Sequence, residues 1–233
     1  MRKLGRKFCL AYFQSTFTIC ADKKYSWWLN TTCAYRDGMI GNTSGYVSNF
    51  KQHAHPTLVL EVGEEFPTSN ISITRYINEG TIYYMLLPLM SCLDRPIRVL
   101  RNWTLKSKLA PPAGLRFDGW YTVLSFSHKR ISMEEDIFRV EVLIERRKDQ
   151  VTMARLLMIP TPSMLDEWEE YLAIRDDEMR REKSVGEYEE WHRRQREGEL
   201  ERELWLCERA EEEASVVEEG GAEVVEAWGY PSN

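Results

Sequence analysis

Between Phe138 and Arg146 apolar and polar positions alternate. Phe138, Val140, Val142 and Ile144 fall on one face and Arg139, Glu141 and Glu145 on the other, with Leu143 the exception. A period of two predicts a half-buried strand. Trp120 to Phe126 predicts the strand before it, with Trp120, Leu124 and Phe126 on one face and Tyr121 and Val123 on the other. Ser127 to Asp136 is polar and long for a hairpin connection, so the register between the two strands stays open. Thr57 to Val62 and Ile71 to Tyr76 are rich in β-branched residues and predict short strands, with Pro67-Thr68-Ser69-Asn70 as the turn between them. Val151 to Pro160 is apolar and predicts a last strand or a covering segment.

The period changes after residue 160. Ser163 is placed as an N-cap with Asp166 three residues on, and Leu165, Trp168, Leu172 and Met179 recur at three- and four-residue steps. That spacing predicts a helix with one narrow apolar stripe. Ser184-Val185-Gly186 interrupts it, and a second helix is expected over about Glu187 to Glu212, carrying Tyr188, Trp191, Leu200, Leu204 and Cys207 among dense charge. No heptad is sustained, which argues against a long coiled coil. From Ala214 the Glu-, Gly- and Val-rich composition predicts disorder. The expected organisation is an unclear segment 1–34, a domain over 35–175, a charged helical tail over 176–213 and a disordered acidic end over 214–233.

Charge sharpens this division. The net charge of −6 hides a +8 balance over residues 1–160 and a −14 balance over 161–233. A basic body suits a polyanion, whereas the tail does not. The five cysteines, Cys9, Cys20, Cys33, Cys92 and Cys207, are scattered without a C-x-x-C pair, which disfavours a zinc site or a disulfide scaffold. No apolar run reaches the length of a membrane span, and no membrane partner is expected. His53 and His55 form an H-x-H pair without a further ligand nearby, and neither a Walker A, a G-x-G-x-x-G nor a G-x-S-x-G motif occurs. Neither a cofactor nor catalysis is therefore expected.

Four pieces between residues 95 and 147 stand in a fixed order. They are the arginine-bearing run Pro96 to Arg101, a lysine loop ending in Ala110-Pro111-Pro112-Ala113-Gly114, then Arg116-Phe117-Asp118-Gly119-Trp120-Tyr121, and the alternating strand Phe138 to Arg146. In this order and spacing they resemble the SRA (SET- and RING-associated) domain family, also called YDG, with Phe117 in the tyrosine position of that motif. The match covers about a quarter of the chain. The resemblance implies an α+β fold: a twisted SRA-like β-barrel with flanking helices, here followed by an acidic helical tail. It also implies a nuclear, chromatin-associated module that recognises 5-methylcytosine in double-stranded DNA by base flipping.

Under that reading Arg98, Arg101, Lys106, Lys108 and Arg116 contact DNA phosphates. Glu79, Tyr83 and Tyr84 are the candidates for the base pocket, and Phe117, Asp118 and Gly119 are a structural motif. From the residues alone, the cations are equally readable as solvated charge on strand faces, and Tyr83 and Tyr84 as core aromatics. Two departures from the family pattern stand out: the Thr-Gly-Ser-Gly-Gly continuation after Tyr84 and the loop carrying an Asn-Lys-Arg finger are both missing. The alternative is a degenerate SRA-like domain without a base pocket. It would act as a protein-interaction module, meeting a chromatin protein through the C-terminal helices and the stripe Leu165, Trp168 and Leu172.

Overall fold

The structure, a computed structural model, describes residues 26–41, 56–70, 72–81, 92–132 and 137–226. In chain order its elements are β1 (Trp27–Trp28), α1 (Thr31–Arg36), β2 (Thr57–Leu60), β3 (Glu64–Pro67), β4 (Ile73–Thr81), β5 (Pro96–Asn102), β6 (Leu115–Ser132), β7 (Ile137–Arg146), α2 (Met153–Leu156), α3 (Pro162–Glu182) and α4 (Val185–Glu226). It is an α+β fold built on a seven-stranded mixed sheet. The strands run in the order β2-β5-β6-β7-β4-β3, with β1 pairing to β6 off this path.

The sheet is curled. Its edge strands β2 and β3 are joined by only three residues, 61–63. Across a flat sheet the five spacings between them, each about 4.8 Å, would place the edges roughly 24 Å apart. The connection reaches no more than about 14 Å. Leu58 and Leu60 from one edge accordingly share an interior core with Tyr76, Val140, Val142 and Ile144 from the other half. The expected barrel is nevertheless not closed. Among the described residues β2 and β3 do not pair, and the loop after β5 fills the seam. The Thr104 hydroxyl donates to the Glu61 carbonyl (2.6 Å), the Lys106 amide to Gly63 (3.1 Å) and the Glu65 amide to Lys106 (2.9 Å). Edge groups that would complete a barrel ladder are thus satisfied by a loop. Gly63, at φ +107, makes the corner; a side chain there would run into the Ile77 carbonyl.

Pattern and structure agree for β7 and differ in instructive places. β6 is 18 residues long, so Ser127 to Ser132 continue the strand where a long loop was expected. Register shifts between Val123 and Ser125 and between Arg130 and Ser132 break the simple alternation. Asn78-Glu79-Gly80 lies inside β4, and β3 was not anticipated because Glu64 and Glu65 mask it. Val151 to Pro160 contains the one-turn helix α2, not a strand. The N-cap of α3 is Thr161, with Pro162 in the first turn, which displaces Ser163 from that role. α4 runs through Ala214 to Glu226, into the end that composition assigns to disorder.

Two outer layers cover the sheet. Trp28, Ala34, Met39 and Ile40 pack on Val59, Leu100, Leu115 and Phe117, so the described stretch 26–41 lies against the sheet. Trp168 of α3 joins Trp27, Leu29 and Ala113, with Leu165 against them. The stripe expected to meet a partner is therefore largely taken up by the fold; Leu172 alone of the three is well exposed, at 40%.

Candidate nucleic-acid interface

The motif Arg116-Phe117-Asp118-Gly119 folds into a buried ionic network. β5 and β6 are antiparallel, and the register shift between Val99 and Leu100 sets Arg101 opposite Arg116. Arg101 grips Glu65 of β3 with two bonds (Nε to Oε2, 2.8 Å) and donates to Asp118 Oδ2 (2.6 Å) and the Tyr121 hydroxyl (3.1 Å). Arg116 donates to both oxygens of Asp118 (2.5 and 2.9 Å) and to the carbonyls of Ile159 (3.2 Å) and Leu109 (2.5 Å). The Ser107 hydroxyl completes the shell on Glu65 (2.6 Å).

Arg101, Arg116 and Asp118 are all 0% exposed. Two cations and two carboxylates balance, and their polar atoms are hydrogen-bonded, which is the condition for keeping charge inside a protein. Burial by itself disfavours the Arg101 cation. Glu65 and Asp118 outweigh it and hold the guanidinium well above its ordinary pKa. Arg101 and Arg116 therefore cannot contact DNA phosphates as expected from the sequence; they pin β3, β5, β6 and the lysine loop together. Phe117 packs in the outer core and Asp118 is in the network. Glu65 and Tyr121 are the members that sequence reading missed. A glutamate beside Phe66, in the acidic stretch Glu61 to Pro67, is the only signal that could have pointed to Glu65.

The remaining cations occupy separate places. Arg98 is half-buried on the outer face opposite Trp120, its Nη1 3.9 Å from Met39 Sδ, and burial lowers its pKa. It borders a hollow of about 460 Å³ with Phe117, Trp120 and Arg146 on its walls. Lys106 and Lys108 are on the seam loop and face α4: Lys106 Nζ is 3.4 Å from Glu201, and Lys108 Nζ donates to the Arg209 carbonyl at 3.4 Å.

A second cavity, also about 460 Å³, opens between the sheet and α4. Glu61, Asn78, Glu79, Trp103, Thr104 and Lys106 are among its lining residues. Glu79 is exposed and paired to Arg139 across β4 and β7 at 3.3 Å. Burial raises the pKa of the Glu61 carboxyl, which also accepts from Asn102 Nδ2 at 3.3 Å. Trp103 is held edge-on against Trp168, with ring centroids 5.6 Å apart. Of the three expected pocket residues, Glu79 is at this cavity; Tyr83 and Tyr84 lie outside the described residues. Glu61, Asn78 and Trp103 were not anticipated, because they come from three separate places in the chain that only the curl brings together. No group of acidic, histidine and cysteine side chains with metal-site geometry occurs among the described residues.

No protein-family model matches the chain, and neither does any curated protein sequence. Solved structures do show likeness. Arabidopsis thaliana SUVH6 in complex with SAM is similar at 12% identity over 56% of this chain and 27% of that one, with a TM-score of 0.42. The SUVH5 SRA domain in complex with fully methylated CG DNA is similar at 13% identity over 54% of this chain and 90% of that one, TM-score 0.40. The modification-dependent TagI restriction endonuclease is similar at 17% identity over 54% of this chain and 50% of that one, TM-score 0.41. This chain thus spans about a quarter of the first and half of the third. At these identities and scores the likenesses assign no function to this chain.

Proposed function

We propose that this chain is a DNA-binding module that reads 5-methylcytosine in duplex DNA by turning the nucleotide out of the stack, and that it works on chromatin in the nucleus. It is a reader in this proposal, not an enzyme. The observation that carries the reading is the convergence of Glu61, Asn78, Glu79, Trp103 and Lys106 on one cavity beside the lysine loop. Its volume falls in the range of about 300–1,000 Å³ typical of small-ligand sites.

Extruding a base costs a few kcal/mol, recovered by stacking and by hydrogen bonds to the base edge. Trp103 supplies an aromatic surface. The Glu79 carboxylate is a partner for the exocyclic amine. Glu61, with its raised pKa, more readily keeps the proton it would donate to the ring nitrogen of cytosine. Lys106 and Arg139 border the same cavity and suit the flanking phosphates. The proposed phosphate contacts are therefore Lys106, Lys108 and Arg139, without the buried pair Arg101 and Arg116.

Binding to otherwise identical methylated and unmodified CG duplexes tests this. The expected result is a preference for the methylated duplex of about tenfold or more, lost in Trp103→Ala and Glu79→Ala. A fluorescent base analogue beside the methylated cytosine should brighten on binding as the stack opens. Equal affinity for the two duplexes, or none, overturns the reading. That result would favour a protein-interaction module instead, for which the exposure of Leu200 (56%) and Leu204 (55%) one turn apart on α4 is the supporting observation.

A further inference from the structure

The acidic C-terminal helix lies on the surface that the proposed function assigns to DNA. α4 holds fifteen glutamates against five arginines over residues 185–226. A strand edge and a lysine loop could have been covered by any amphipathic helix. This one is placed so that Glu201 meets Lys106 and the Arg209 carbonyl meets Lys108. Its residues Arg194, Gln195, Gly198, Glu199, Glu201 and Arg202 wall the cavity that Glu79 and Trp103 share. One apolar anchor holds it there: Trp205 is buried and meets Phe66 of β3 edge-to-face at 6.0 Å, while Arg209 sits over the same ring at 5.1 Å.

We infer that α4 is an intramolecular occupant of the DNA face, a cover that a nucleic acid must displace before the lysine loop and the cavity become available. The inference rests on the reading of this surface as a DNA interface. The physical case is one of balance. Lys106 and Glu201 are partly exposed, at 31% and 67%, and a surface ion pair of this kind is weak and screened by salt. The docking therefore depends mainly on Trp205. A duplex offers a denser line of negative charge than the helix does, one charge per about 1.7 Å of its axis. Tethering gives α4 a high effective concentration, so the intact chain binds more weakly than its charge at the loop would allow. The same docking covers the Phe66 ring of β3, beside the stretch where the lysine loop already satisfies the strand edge.

Full-length variants test the cover without truncation. Trp205→Ala removes the anchor, and Glu201→Gln removes the charge contact without adding a cation. Release of α4 is read directly as faster amide exchange over residues 194–209. At about 50 mM salt both variants should bind the methylated duplex more tightly than the parent chain, Trp205→Ala by roughly tenfold, and the gain should shrink as salt rises. Adding Lys106→Gln and Lys108→Gln should abolish the gain. If α4 is released and DNA affinity does not change, the helix is only an edge cover and the inference is wrong, while base reading stands. If neither chain binds DNA but release strengthens retention on heparin through the two lysines, the cover stands and base reading falls. If release changes neither DNA binding nor heparin retention, the inference is overturned.

Discussion

Asp118 shows how one residue's role depends on what surrounds it. It is the acceptor shared by Arg101 and Arg116, so its charge is used twice. In Asp118→Asn the shape survives but two buried guanidinium groups are left with Glu65 as their only counter-charge. Breaking a buried pair in this way costs about 3–5 kcal/mol, and urea unfolding should show a loss of that order. Arg101→Lys should also destabilise, because an ammonium cannot grip Glu65 with two bonds and reach Asp118 and Tyr121 as well.

Glu61 has the opposite character. Burial raises its folded-state pKa, so at neutral pH folding carries the cost of a poorly solvated carboxylate. Stability from this group falls as pH rises through the raised value, since the folded state then holds the proton that the unfolded state has lost. Glu61→Gln should therefore raise the Tm at pH 7, with the difference vanishing at pH values below the ordinary carboxylate range. A thermal melt series across pH reads both ends.

At the scale of elements, β6 is the strand on which the others depend, pairing with β1, β5 and β7 along its length. Its start is set by Gly114, at φ +64, where a Cβ would run into the Trp28 carbonyl and the Trp27 ring. Gly114→Ala is expected to cost about 1–3 kcal/mol by forcing a left-handed, crowded conformation on a residue with a side chain. Thermal melts against a surface Gly186→Ala control, which has open space at its Cβ, would check this.

The two long helices are clasped rather than continuous. Asp176 of α3 accepts from the Tyr188 hydroxyl (2.8 Å) and lies 2.6 Å from His192 Nε2, both on α4. The Tyr188 bond, with smaller help from His192 and Arg180, holds the Asp176 carboxyl below its ordinary pKa. Its stabilising effect is therefore present at neutral pH and is lost as pH falls through that depressed value. Asp176→Asn should reduce amide protection around residues 183–192 at pH 7, and the difference from the parent chain should close as pH drops into the acid range.

For the whole molecule, the curl of the sheet does most to assemble the candidate site. It brings the connection 61–63, the middle of β4 and the loop after β5 to a single seam, and α4 lies across that seam. That arrangement makes a salt titration informative. If release of α4 frees Lys106 and Lys108 for phosphate, the slope of log affinity against log salt should steepen by about 2 in the Trp205→Ala chain, since each phosphate contact contributes roughly 0.9. An unchanged slope would place the phosphate contacts elsewhere on the body.

Local pattern was enough to predict β7, the centre of β6, a break near Ser184 and a helix beyond it, because each depends on short-range periodicity or turn chemistry; Val185 and Gly186, expected in the break, are already in α4, which runs on to Glu226. The charge division between body and tail was equally visible, since charge is additive along a chain. Burial was not. Arg101 and Arg116 look like solvent-facing cations until Glu65, remote in sequence, is folded against them. Glu61, Asn78 and Trp103 look unrelated until a curled sheet places them side by side. The same holds for the acidic helix, whose sequence shows charge and amphipathic spacing but not the surface on which it comes to lie. Contacts between residues far apart in the chain depend on how the sheet bends and what covers its edge, and only the tertiary structure decides that.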